Sequence, residues 1–221
     1  MARSKYSEEE RDKILVSFII AAREVILMDG LEKVTVRRIA EITGCNSAKL
    51  YFYFKDLDQL ITMACMGHLE KYSQTLVTDL GELDDDYEIF LHTWEVFSYF
   101  GFNNAAIWNQ IFFKRHDVAL NDMIDEYYRL FPQQFSKISE PVRKMLFGGT
   151  LLERNKAILL PLVEDGTIKS DNVDLINDLM YHYFHGLLLE RIGSEGGMLD
   201  MERNKTRFIN CIKYLIDNER V

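Results

Sequence analysis

Between Thr35 and Lys55 four cations, Arg37, Arg38, Lys49 and Lys55, stand against one carboxylate, Glu41, interleaved with the hydroxyls of Thr35, Ser47, Tyr51 and Tyr53. Cations and hydroxyls hold phosphate oxygens, and small or polar side chains at the start of a helix reach base edges in a major groove. The chemistry these residues point to is non-covalent recognition of double-stranded DNA. Residues 1–55 contain ten basic and eight acidic residues, about +2, leaving 16 basic and 27 acidic residues, about −11, for the remainder of a 221-residue chain of net charge −9. Such a balance argues against a protein that coats nucleic acid nonspecifically. A local basic patch still suffices to engage a few phosphates and set a register on a duplex.

The elements that must position these side chains are two short helical patterns separated by a turn. Val36, Ile39 and Ala40 recur at helical spacing, with Thr35 placed to cap the helix they form. Gly44 supplies the left-handed backbone of a tight turn, and Asn46 or Ser47 can cap a second helix predicted to run through Lys49 to Phe54. This is the layout of a helix-turn-helix. If Leu50 and Phe54 point inward, a helical wheel turns Ala48, Lys49 and Phe52 outward and leaves Tyr51 and Tyr53 on the flanks. A preceding helix is predicted from Ser7, where Ser7 and Glu10 form a capping box. Its apolar stripe is Ile14, Phe18, Ala21, Val25 and Met28, up to Asp29-Gly30.

Strand-like alternation is hard to find, and the three prolines lie at 132, 141 and 161, so the expected fold class is all-α. The chain is expected to divide into a three-helix DNA-binding domain over 1–55 and a larger helical domain over 56–221. Its first helix, 56–80, capped by Asp56 or Asp58, serves as a connector. Further helices are expected near 85–102, 104–116, 118–137 and 140–164, followed by two more, carrying Ile176, Leu179, Met180, Tyr183 and Leu187, then Phe208, Cys211, Ile212, Leu215 and Ile216, at helical spacing. No apolar run reaches the roughly 20 residues that span a bilayer, and the N-terminus lacks a secretory apolar region, so a cytoplasmic protein without a membrane partner is expected. Cys45, Cys65 and Cys211 are too scattered for a disulfide framework.

The aromatics from Phe90 to Phe113 can line a ligand pocket or simply form core. The pocket candidates are Trp94, Phe97, Trp108 and Phe112. Glu95 or Glu153 can attract a cationic ligand or lie on a solvated face. His182 and His185, three apart, can share a metal ion, yet no third ligand accompanies them, and neither a metal nor a cofactor is expected. Cys45 in the turn reads as a small buried apolar residue or as a redox-sensitive thiol.

In the order Arg11, Ile14, Leu15, Ala21-Ala22, Gly30, TVRRIAEITG and LYFYFKD, the N-terminal part resembles the TetR/AcrR family of transcriptional regulators over roughly residues 8–65. The Gly166-Thr-Ile-Lys-x-Asp turn and the later HGLLLERI resemble the entry to that family's dimer helices. The resemblance implies a homodimer whose two motifs occupy successive major grooves and whose C-terminal domain binds a small molecule that releases the DNA. It assigns Thr35, Arg37, Tyr51, Tyr53 and Lys55 to phosphates, with Arg38 beside them, and Ser47, Ala48 and Lys49 to base edges. Ala48, Lys49 and Leu57 depart from the Gly, Thr and Lys common at those positions, so base preference and one backbone contact do not carry over.

An isologous interface is expected on the final two helices, through Met180, Tyr183, Leu187, Phe208, Ile212 and Leu215, because pairing doubles the DNA read; the same stripes can equally cover the chain's own core. The function expected is a non-enzymatic, homodimeric repressor with a DNA operator and a small hydrophobic or aromatic effector as partners. An adaptor protein, or a small-molecule enzyme carrying a vestigial motif, is the alternative. No nucleophile elbow, Walker loop, dinucleotide fingerprint or Cys-His metal spacing supports the enzyme.

Overall fold

Ser7 accepts a hydrogen bond from the Glu10 backbone (3.2 Å) and Glu10 accepts one from the Ser7 backbone (2.8 Å), the reciprocal box that starts helix α1, Glu8–Asp29. In the computed structural model, which describes residues 7–132, 139–194 and 197–219, every regular element among the described residues is helical, as expected. The buried face of α1 is Leu15, Phe18, Ile19, Ala22, Val25 and Ile26. Ile14 and Met28, placed on that stripe by sequence, lie at its edge and in solvent.

Chain contacts divide the molecule into two compact units, Met1–His68 with Arg115–Gln133, and Leu69–Lys114 with Gln134–Val221. Besides α1, the first unit contains α2 (Val36–Thr43), α3 (Ser47–Leu50), α4 (Leu57–Cys65) and α8 (Leu120–Leu130). A functional division at 55 and 56 therefore differs from the division by contact. α8 packs on α4, and its Arg129 donates two hydrogen bonds to Asp12 of α1 (2.6 and 2.8 Å), a bidentate geometry that a guanidinium favours. Arg23 of α1 donates to the Tyr127 hydroxyl and lies 4.6 Å from the centre of the Phe131 ring. The helix expected over 118–137 is thus α8, ending at Leu130; positions 133–137 lie outside the described residues.

The connector expected over 56–80 is interrupted. α4, capped by Asp56 accepting from the Gln59 backbone (2.7 Å), ends at Cys65, and α5 runs from Gly67 to Leu80. Gly67 and His68 are counted with the first unit and the rest of α5 with the second.

The second unit continues with α6 (Asp86–Asn103), α7 (Ala105–Phe112), α9 (Glu140–Phe147), α10 (Leu151–Glu164), α11 (Val173–Ile192) and α12 (Met198–Glu219). The single helix expected over 140–164 is broken at Gly148, with ψ of 156°. It restarts at a second capping box, Thr150 with Glu153. The core of this unit is an aromatic network in tilted and edge-on contact, with Trp94–Phe97 at 5.3 Å, Trp94–Phe208 at 5.0 Å and Phe97–Phe184 at 5.1 Å between centroids. Among the described residues no helix is long and apolar enough to cross a membrane.

Candidate nucleic-acid interface and effector cavity

Thr35 caps α2 by accepting from the Arg38 backbone (3.2 Å), and Gly44 ends it in the left-handed region (φ 65°, ψ 18°), where a Cβ would be strained. Asn46, not Ser47, caps α3, accepting from the Ala48 backbone at 2.6 Å. Helix α3 is shorter than the second helix expected from the sequence. After one α turn, Phe52 and Tyr53 donate to the carbonyls three residues back (3.2 and 3.0 Å), tightening the chain so that Leu50 and Phe54 both reach the core.

That tightening presents the outward residues. Thr35, Arg37, Ser47, Ala48, Tyr51 and Lys55 are exposed, while Arg38, Lys49 and Tyr53 are half-buried. Tyr53 packs its ring 6.1 Å from that of Phe18, so it supports the fold as well as standing near the surface. Phe52, which the helical wheel turns outward, is 84% exposed beside Tyr51. A large apolar ring left in solvent at the centre of a polar patch is the signal that marks it. Three of the cations carry acid partners: Arg37 on Glu41 at 2.9 Å, Arg38 on Asp29, and Lys55 on Asp117 at 3.3 Å. Such exposed pairs contribute little and can yield to phosphate.

In the second unit a cavity of ≈ 10 Å³, about the room one water needs, is walled by Tyr72 of α5, Thr93, Trp94 and Phe97 of α6, Met145 of α9, and Leu151, Arg154, Asn155 and Ile158 of α10. Of the sequence candidates, Trp94 and Phe97 stand on this wall, whereas Trp108 and Phe112 pack behind it, 6.1 and 5.5 Å from Phe97. The Trp94 indole donates to Asn155 (2.9 Å), and Asn155 donates to Asn177 (2.8 Å), which fixes the amide orientation. Glu153, considered for a cationic ligand, is instead engaged in capping α10. Its neighbour Arg154, which sequence reasoning passed over, is 3% exposed and faces the cavity. A wider space of ≈ 310 Å³ shares Ile158 with that cavity and is lined also by Asp84 and Asp86. Burial and the nearby Asp165 raise the Asp86 carboxyl above its ordinary range.

The stripes assigned to an interface sit differently. Met180, Leu187, Phe208 and Ile212 are fully buried in their own chain, Phe208 against Trp94, and Tyr183 and Leu215 are half-buried. The first four are core residues, a correction of that assignment. The apolar residues that α11 leaves in solvent are Leu175, Leu179, Leu189 and Ile192. His185 bonds Asn109 (3.1 Å) and stacks on Phe113 at 4.2 Å, and burial lowers its pKa. No group of three or more metal-ligating residues occurs among the described residues. Cys45 is half-buried.

Residues 18–62 match the family described as bacterial regulatory proteins, tetR family. No curated protein sequence matches the chain. Among solved structures, RolR in complex with resorcinol is similar at 15% identity and a TM-score of 0.61, covering 97% of this chain and 98% of that one. FadR of Thermus thermophilus, a TetR-family transcriptional repressor in complex with lauroyl-CoA, is 14% identical with a TM-score of 0.59, covering 90% and 93%. A TetR-family transcriptional regulator from Pectobacterium atrosepticum is 11% identical with a TM-score of 0.61, covering 98% of both chains. At these identities the likeness is one of fold.

Proposed function

We propose that the protein, whose residues 18–62 match the tetR family of bacterial regulatory proteins, is a homodimeric transcriptional repressor, released from its operator by a small effector held in the second unit. The observation that carries this reading is the exposed set Thr35, Arg37, Ser47, Ala48 and Tyr51 around a one-turn helix whose position is set by Gly44, Asn46 and the buried Leu50 and Phe54. Thr35, Arg37, Tyr51 and Lys55 take phosphates; Ser47, Ala48 and Lys49 approach base edges. Two such helices about 34–36 Å apart match successive major grooves on one face of the duplex.

The dimer surface we assign to α11 is the stripe Leu175, Leu179, His182, Gly186 and Leu189, all exposed and spaced four, three, four and three residues apart. That spacing puts them on one face, and a Cβ at Gly186 would meet nothing within 4 Å, which lets a second copy approach closely. Leu179→Glu is expected to yield monomers in sedimentation experiments while leaving the helical circular dichroism unchanged; retained dimers would place the interface elsewhere.

Effector and DNA each favour one of two conformations, so each weakens the other. A hundredfold release requires the effector to discriminate the two by about 2.7 kcal/mol. Continuity of the chain supports α5 as the lever: it carries Tyr72 on the cavity wall and begins at Gly67, beside Arg23 of α1. A gel-shift on the DNA upstream of the protein's own gene tests the reading. Sequence-selective, salt-sensitive binding supports it, and uniform binding to unrelated duplexes would refute it.

A further inference from the structure

Phe52 stands among the polar residues of the reading head without a hydroxyl, amide or cation of its own to hold a phosphate. Its backbone N–H donates to the Lys49 carbonyl (3.2 Å), and Leu50 and Phe54, two residues before it and two after it, are both buried. With those two side chains anchored inward, the ring between them is turned out and is 84% exposed, whereas the next ring, Tyr53, packs on Phe18. Ala48, four positions earlier, is exposed on the same side of the chain, away from Leu50. Two apolar side chains therefore share the outward side of a segment, 35–55, that carries four cations against one carboxylate.

We infer that Phe52, its apolar surface extended by Ala48, is a specificity-determining residue that reads the C5-methyl group of thymine, so that each operator half-site contains a T·A pair recognised through that methyl. This rests on reading α3 and the turn after it as the DNA-contacting element, and it names a base which that element selects.

The chemistry of the major groove singles out that group. Base edges there present hydrogen-bond donors and acceptors, and the thymine methyl is the apolar group among them. A phenyl ring pressed against a donor or acceptor strips it of water and returns no hydrogen bond, which costs free energy. Against a methyl, both surfaces leave water and both gain. The surrounding cations favour a polyanion over an apolar protein surface or a neutral membrane as the body that covers the ring. A tyrosine at this position could hold a phosphate of any sequence; a phenylalanine cannot, so its contribution depends on the base it meets.

The test starts from the operator that the full-length protein selects out of randomised duplexes. Each thymine of a half-site, on either strand, is replaced in turn by deoxyuridine, which keeps the base pairing and deletes only the methyl, and binding is read by fluorescence anisotropy at one fixed salt concentration. At one position the loss of the methyl is expected to weaken binding about fourfold, and about fifteenfold when both half-sites carry uracil, the effect of one and of two buried methyl groups. Phe52→Ala should bind the thymine and uracil operators alike, with Phe52→Leu retaining part of the difference. Since the ring is exposed, Phe52→Ala should leave thermal unfolding unchanged, which separates a lost contact from a lost fold. A half-site without thymine, no uracil effect at any thymine, or an equal uracil effect in Phe52→Ala overturns the inference and leaves the operator reading standing. A protein that enriches no motif at all overturns both.

Discussion

The two units hold their candidate functional residues in different settings, one at its surface and the other in its core. In the first, Arg37, Ser47, Ala48 and Tyr51 are exposed on short helices, and what holds them is caps, a glycine turn and a few buried anchors such as Leu50 and Phe54. In the second, Trp94, Phe97 and Arg154 belong at once to the cavity wall and to the core. A surface reading head can change its contact residues at almost no cost in stability. A site dug into an aromatic network cannot, because each wall residue also packs the domain.

That contrast predicts unequal substitution effects. The largest falls on Trp94, whose ring touches Phe97, Phe184 and Phe208 and whose indole donates to Asn155. Trp94→Ala should destabilise by about 3–5 kcal/mol in denaturant unfolding. A cost under about 1 kcal/mol would break the comparison by showing the cavity wall to be independent of the core. Asn46→Ala, which removes the α3 cap, should cost about 1 kcal/mol and weaken DNA binding on every sequence, measured by thermal unfolding beside a gel-shift series. Arg37→Ala breaks only an exposed pair with Glu41, so stability should stay within about 0.5 kcal/mol. Its signature is a salt slope of DNA binding reduced by about 0.9, the loss of one phosphate contact.

A smaller effect, in pH, sharpens the same comparison. Burial, with the Arg23 guanidinium nearby, lowers the His68 pKa below its ordinary value. Above the unfolded-state value near pH 6.5 both states are neutral there. As pH falls through that value toward the lowered folded one, the unfolded chain takes up the proton first and stability is lost. His68→Gln should flatten thermal stability between pH 7 and pH 5, and an unchanged pH profile would show that His68 does not carry the effect.

Features set by local chemistry were legible in the sequence. The Ser7–Glu10 box, the Thr35 cap and the Gly44 turn each depend on residues a few positions apart and stand as the sequence indicates, and Asp56 is the one of the two candidates, Asp56 and Asp58, that caps α4. The Thr150–Glu153 box was equally local; a single long helix over 140–164 passed over it and the Gly-Gly pair before it. What stayed hidden is tertiary. Nothing near residue 120 announces that α8 packs with α1, because the Arg129–Asp12 pairing spans 117 positions. α11 is apolar on two faces, so its periodicity fits Met180 and Leu187 in the core as well as Leu179 and Leu189 in solvent. Arg154 looked like one charged residue among many until its burial set it apart.

The central claim, that the exposed residues around α3 read DNA, is tested most directly by selecting the purified protein on a randomised duplex library at low salt, alongside its Lys49→Ala variant. The account predicts one enriched, two-fold symmetric motif for the parent protein and altered base preference within its half-sites for the variant. No enrichment of any motif, or identical motifs for both proteins, would contradict it.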